Sequence, residues 1–410
     1  MRRGNWIPAL FLTAAAAVIA AAALLAERKN AHPETAFLPM EPVRVAVAAD
    51  LHDLSPALTD GGAYFTQVVT NGDGKLMQYI DEIAEAFVSE MRREQPDVLL
   101  LPGDLTFNGA RESHAALIEK LRRISDAGVR VLVLPGNHDL DNAMAARFHG
   151  DGFDRVESVT AADFAQMYGP FGYDDALSRD EASLSYVSEV TPGLRLLLID
   201  TNTEGAPGAV KPETLRWAEA ALQAAREAGA RVICVTHQTI LQHNSVFTDG
   251  FVIKGREALA ALLQRYGVPC SLAGHMHIQH VKTLGSLTEI VTSALCVSPC
   301  QYGLLTVDAE NGAYQTRTLA VPSAEDFAAK ADAFFTENTL RQGRAATQDG
   351  AMLRYLCDFN RCYYAGTMDK IPRDDALLKA WETADPFIGA YLRSLAEDAG
   401  QDFTRVEFAF

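Results

Sequence analysis

Residues 129–139 read Val129-Arg130-Val131-Leu132-Val133-Leu134-Pro135-Gly136-Asn137-His138-Asp139. A run of aliphatic, β-branched residues stops at Pro-Gly and is followed at once by an amide, an imidazole and a carboxylate. The apolar half has the composition of a strand buried on both faces. Four more segments share this arrangement. The run 43–48 leads to Asp50-Leu51-His52, and 98–101 leads to Gly103-Asp104. The run 231–235 leads to Thr236-His237, and 268–272 leads to Gly274-His275-Met276-His277. Side chains at the ends of neighbouring strands converge in space however far apart they lie in sequence. Oxygen and nitrogen donors gathered in this way suit two divalent metals side by side, and such a pair suits hydrolysis of a phosphate ester.

The five motifs, in this order, resemble the calcineurin-like metallophosphoesterase superfamily, whose pattern is D-x-H, GD, GNH[D/E], H and GHxH. The resemblance covers roughly residues 43–310. Any single motif occurs by chance in many proteins; the ordered set, each member behind a strand-like run, carries the specificity. It implies an α/β fold, a four-layer α/β/β/α sandwich. It also implies that Asp50, His52 and His277 hold one metal, that Asn137, His237 and His275 hold the other, and that Asp104 bridges the two. Manganese, iron and zinc are the ions such donors suit. Asp50 and His52 are two residues apart, as are His275 and His277, so each pair is expected to point to one side of an extended segment. Gly103 is expected to let the metals approach the backbone.

His138 is expected to border the site without binding metal and to protonate the departing oxygen. The attacking group would be a hydroxide shared by the two metals. Asp139 is expected to orient the turn or the His138 ring. After Asp104 the chain reads Leu105-Thr106-Phe107-Asn108-Gly109. Protein serine/threonine phosphatases of the superfamily carry Asp at the Phe107 position and a phosphate-clamping Arg at the Asn108 position, and purple acid phosphatases carry a metal-binding Tyr at the former. The form here looks like the class III cyclic nucleotide phosphodiesterases and their exported relatives. The expectation is a phosphodiesterase of small esters, cyclic nucleotides among them, with Asn108 hydrogen-bonded to a phosphate oxygen. A phosphomonoesterase or nucleotide pyrophosphatase is the alternative within the enzymes. A cell-surface binding module that has lost activity is the other, and the intact ligand set argues against it.

The chain has 410 residues and a net charge of −17. That excess of acid argues against a nucleic-acid polymer as partner, because affinity for one rests on Lys and Arg neutralising phosphates. Arg2 and Arg3 precede an almost unbroken apolar run from Trp6 to Ala26. Residues 1–29 therefore read as a signal or a membrane anchor, with the remainder outside the cytoplasm, anchored or secreted. Residues 30–42 hold Pro33, Pro39 and Pro42 and read as a tether. Helical periodicity falls at Leu76, Ile80, Ile83, Phe87 and Met91, again at Leu117, Leu121 and Ile124, and at 212–228 and 255–266. Two strand-like runs flank Thr191-Pro192-Gly193, a hairpin turn, and 287–295, 302–308 and 313–319 read as antiparallel strands.

The sandwich is assigned 43–320, and 321–410 a small helical domain of the kind also found on the exported relatives. Its first helix is expected to open on a capping box of Ser323 and Asp326, and its last on Asp385-Pro386. Segment 141–182, with Phe148, Phe153, Tyr168, Phe171 and Tyr173, is a candidate wall of the substrate pocket. His243 and His280 lie close enough to the motifs to touch substrate, whereas His32, His114 and His149 read as ordinary structural histidines. Of the six cysteines, Cys296 and Cys300 flank a turn that could bring them together, and the rest read as buried thiols.

Overall fold

The computed structural model describes residues 37–203 and 208–410. The apolar run at 6–26, with its reading as signal or anchor, lies outside them. Among the described residues no helix is long and apolar enough to cross a membrane.

The apolar runs become the central strands of two sheets. In the first, of six strands, Val43–Val47, Val98–Pro102 and Arg130–Leu134 are parallel neighbours. Gln301–Val307, Asn311–Thr318 and Arg405–Ala409 extend it antiparallel from the far edge of Val43–Val47. In the second, of seven strands, Leu194–Ile199, Arg231–Thr236, Cys270–Ala273 and Leu287–Val291 run parallel. Tyr186–Thr191 and Ser178–Arg179 close one side of it and His280–Leu284 the other, all antiparallel. Leu287–Val291 was expected in an antiparallel pair; it pairs antiparallel with His280–Leu284 and parallel with Cys270–Ala273.

Side-chain alternation sorts the layers. Leu196 and Leu198 join the core between the sheets, while Leu197 and Ile199 pack with Leu222, Leu259 and Leu263 of helices Pro212–Glu227 and Arg256–Arg265. Helices Ile80–Glu94 and Arg111–Ser125 cover the first sheet through Ile83, Phe87, Leu117 and Leu121. Each such buried side chain contributes about 1.5–3 kcal/mol. The order of layers is therefore helix, sheet, sheet, helix.

Beyond Val321 come helices Phe327–Arg344, Gly350–Ala365, Asp375–Ala384 and Pro386–Ala396. Their core, built on Leu356, Phe359, Trp381 and Leu392, also takes in Met276 and Ile278. Asp385 caps the last helix, its carboxylate accepting from the N–H groups of Phe387 and Ile388. The capping box at Ser323 does not form: Asp326 sits at φ 52° and its side chain makes no cap. Nor is the tail helical to its end. Arg405–Ala409 pairs with Asn311–Thr318, because Val406 and Phe408 alternate with polar residues and Gly312 leaves room for the Phe408 ring. A strand of the first sheet thus lies beyond the expected domain boundary at 320. The tether also ends earlier than expected, since the Leu38 N–H already donates to the Gly229 carbonyl at 2.8 Å.

Candidate metal centre

The five motifs meet where the parallel strands of both sheets end. Asp50, His52, Asp104, His275 and His277 all have positive φ, between 48° and 67°. The members of each pair two apart are therefore brought together by left-handed turns, not by the extended segment their spacing suggested. Such a conformation costs a side-chain-bearing residue roughly 1–2 kcal/mol, and it persists only where surrounding contacts enforce it. The motif glycines make the space. A Cβ on Gly103 would lie 2.4 Å from Nδ1 of His237, one on Gly136 would lie 2.2 Å from Oδ1 of Asp104, and one on Gly274 would lie 2.8 Å from Oδ2 of Asp50. Gly103 thus admits the ring of His237; its expected role was to admit the metals themselves.

Two clusters of donors result, Asp50–His52–Asp104–His277 and Asp104–His237–His275, with Asp104 common to both. In the first, Nε2 of His52 is 3.2 Å from Nε2 of His277 and 3.6 Å from Oδ2 of Asp104. In the second, Nε2 of His237 is 3.3 Å from Oδ1 of Asp104 and 3.1 Å from Oδ1 of Asn137. The Nδ1–H of His237 donates to the Pro102 carbonyl at 2.9 Å, so Nε2 is the atom that faces those two oxygens. Electron-pair donors crowded at such distances are held together by something positive between them, a proton or a metal ion, and a metal cation in each cluster fits that requirement.

The protonation balance points the same way. Burial lifts the Asp50 carboxyl to about 8 and lowers His275 to about 4 and His277 to about 3. Burial works against His237 and Asp104 as well, but their mutual attraction outweighs it. His237 is held at about 9, and Asp104 well below the carboxylate range. Without metal, a proton on His237 balances Asp104; a metal would take that place.

The remaining motif residues have assigned partners. The Nδ1 of His138 donates to the Phe107 carbonyl at 2.7 Å, so Nε2 is presented to the site, 3.9 Å from Oδ2 of Asp104. Asp139 accepts from the N–H groups of Leu105, Thr106 and Gly136 at 2.8–3.0 Å and does not touch the His138 ring. It therefore ties the Asp104 loop to the turn that carries Asn137. Asn108 donates Nδ2 to the Met144 carbonyl at 3.2 Å, leaving Oδ1 buried with no partner among the described residues. Nδ2 carries a second N–H for the contact expected with a phosphate oxygen, while Oδ1 stays an unused buried acceptor.

His243 and His280 do not reach the site. Both are buried in a chain that runs from Glu289 through His243 and His280 to Asp398, with steps of 3.1, 2.9 and 3.0 Å. His114 bonds Tyr168 and the Asp139 carbonyl, and exposed His149 meets Asp154; His32 lies outside the described residues. All six cysteines are buried and none forms a disulfide, Cys296 and Cys300 included.

Two cavities flank the centre. One, of about 340 Å³, is lined by His275 and His277 on one side and by Phe247, Phe251, Tyr363 and Tyr391 on another. The second, of about 370 Å³, lies against Asn108, Phe107, Tyr64, Phe148 and Phe153. Phe148 and Phe153 are thus part of a wall, whereas Tyr168, Phe171 and Tyr173 are core residues. Sequence reasoning missed the contribution of the helical tail to the first cavity. It also missed Lys75, a buried ammonium paired with Asp73 beside His277. The turn Gly72-Asp73-Gly74 ahead of Lys75 was the available signal.

Residues 43–279 match the profile of the Calcineurin-like phosphoesterase family. A protein of Vesicomyosocius okutanii named "Probable cyclic nucleotide phosphodiesterase" is 23% identical over 191 residues, 46% of this chain and 66% of that protein. One of Arcobacter nitrofigilis named "Probable glycerophosphodiester phosphodiesterase GpdQ" is 27% identical over 188 residues, 45% of this chain and 58% of that protein. The chain therefore spans less than two thirds of either relative. The crystal structure of a dimetal phosphatase from Danio rerio superposes with a TM-score of 0.51 at 15% identity, covering 68% of this chain and 98% of that one. It shares the fold.

Proposed function

Because this chain belongs to the calcineurin-like phosphoesterase family, we propose that it is a two-metal phosphodiesterase acting on small esters. The observation that carries the reading is the sharing of Asp104 by two clusters of imidazole and carboxylate donors. Ions bound there, of manganese, iron or zinc, supply positive charge to the phosphoryl oxygens and acidify the attacking water. The chain's own part is to hold the ester and move a proton. His138 has Nδ1 engaged by the Phe107 carbonyl, which leaves Nε2 to protonate the departing alkoxide.

The preference for diesters rests on charge. Among the described residues lining the two cavities, Arg155 is the one arginine, and it lies over the Phe153 ring, 4.9 Å from its centroid. Lys75 is neutralised by Asp73. A monoester dianion finds no arginine fork, while a diester brings one charge and a leaving group that needs the proton. Metal-loaded protein should show higher kcat/KM on bis(p-nitrophenyl) phosphate than on p-nitrophenyl phosphate. A tenfold preference for the monoester, about 1.4 kcal/mol, would overturn the diesterase reading. Activity indifferent to chelators would overturn the metal hydrolase.

A further inference from the structure

The two cavities differ in every lining residue but two: Asn137 and His138 belong to both. They are therefore separate cavities that adjoin at the place where His138 presents Nε2. Each is as large as a small ligand pocket, for which roughly 300 Å³ is the lower bound. Each is walled by rings. Tyr64 stacks on Phe153 at 5.3 Å in one, and Phe247 lies 5.0 Å from Phe251 and 5.7 Å from Tyr391 in the other. Each has an aromatic residue at its mouth, Phe153 at 36% exposure and Phe387 at 59%. A buried acceptor, Oδ1 of Asn108, has no partner among the described residues and belongs to a residue in the wall of the second cavity, the one with Phe153.

We propose that the substrate is an open diester whose two ester arms are both bulky and lie one in each cavity, at least one arm being an aromatic base or nucleoside. The inference rests on the phosphodiesterase reading and narrows it. A phosphate at Asn137 and His138 directs its two ester oxygens away from each other, and the cavities lie in two separate directions from that point. Planar arms gain from the aromatic walls by stacking, about 0.5–1.5 kcal/mol for a pair of rings beyond the area they bury. A cyclic nucleotide carries both ester oxygens on one sugar, so it fills one cavity and leaves the other to water.

The test compares two diesters with the same leaving group and the same single charge. Thymidine 5′-(p-nitrophenyl) phosphate has a nucleoside as its second arm, and methyl p-nitrophenyl phosphate has a methyl group. On metal-loaded protein the first should be cleaved with a kcat/KM at least tenfold higher, mainly through KM. Its non-hydrolysable phosphonate analogue should bind correspondingly tighter than the methyl one in calorimetry. Phe153→Ala and Phe387→Ala remove rings at the cavity mouths, and at least one of them should shrink the ratio severalfold by raising KM for the nucleoside ester. A merely structural loss would lower both substrates alike. Equal kcat/KM for the two diesters, or a cyclic nucleotide used better than the nucleoside diester, would overturn the two-arm proposal and leave the diesterase standing. Hydrolysis of monoesters with neither diester cleaved would overturn the diesterase reading and this inference with it.

Discussion

His138 is placed so that one nitrogen is committed and the other is free. The Phe107 carbonyl takes the Nδ1 proton at 2.7 Å, and the ring packs edge-on against His52 with centroids 4.7 Å apart. Removing the ring should leave both donor clusters whole, because the backbone N–H of His138, not its side chain, bonds Asp104. His138→Ala is therefore expected to retain its metal by elemental analysis while turnover of alkyl esters falls by about 10²–10⁴. Nitrophenyl esters, whose leaving group departs without a proton, should lose much less. Equal losses on both kinds of ester would show that the ring acts in another way. Asn108 shows how a residue can be recognised as part of a site while its bonding stays hidden. Its position after Asp104 is plain in the sequence, but which end of its amide is engaged depends on the carbonyl of Met144, 36 residues away.

The helices after Val321 form a wall of the site as well as a tail. Gly350–Ala365 and Pro386–Ala396 carry Tyr363, Tyr364 and Tyr391 into the lining of the first cavity, and their core is continuous with Met276 between the two proposed ligands His275 and His277. Trp381 anchors this unit, fully buried, with its indole N–H donating to the Met352 carbonyl at 3.0 Å. Trp381→Ala should cost about 3–5 kcal/mol in denaturant unfolding of the tail. A cost below about 1 kcal/mol, typical of exposed sites, would mean that the helices are not packed this way. The helices were legible from their apolar period. The strand Arg405–Ala409 was not, because five residues of alternation at a chain end stand out only once a partner strand is seen beside them.

At the scale of the molecule, folding concentrates unfavourable features at one place. Five proposed ligands hold left-handed backbone conformations, and Asp50 and Asp104, both buried, face each other across the centre. Ligands that bind the folded state alone offset such costs by mass action, about 4 kcal/mol when free metal is 1,000 times its dissociation constant. Adding manganese or zinc to chelator-treated protein should therefore raise Tm by several degrees. Asp104→Ala, which takes a donor from both clusters, should abolish most of that rise. A Tm unmoved by metal in the unaltered protein would argue against ions at this centre.

The sequence by itself determined the strand ends, the donors that follow them and their order, because a buried strand and a polar turn each impose a local composition. It determined the family for the same reason: the motifs are short and each lies within a few residues. Only the tertiary structure decided that the pairs two apart meet through left-handed turns and that Gly103 makes room for His237. The same holds for His243 and His280, which pair with Glu289 and Asp398 and line neither of the two cavities. The two cavities also belong to the tertiary structure alone. Their walls come from segments between Tyr64 and Tyr391 that share no local pattern. Contact between residues hundreds of positions apart depends on how the layers pack, and no periodicity within one segment encodes it.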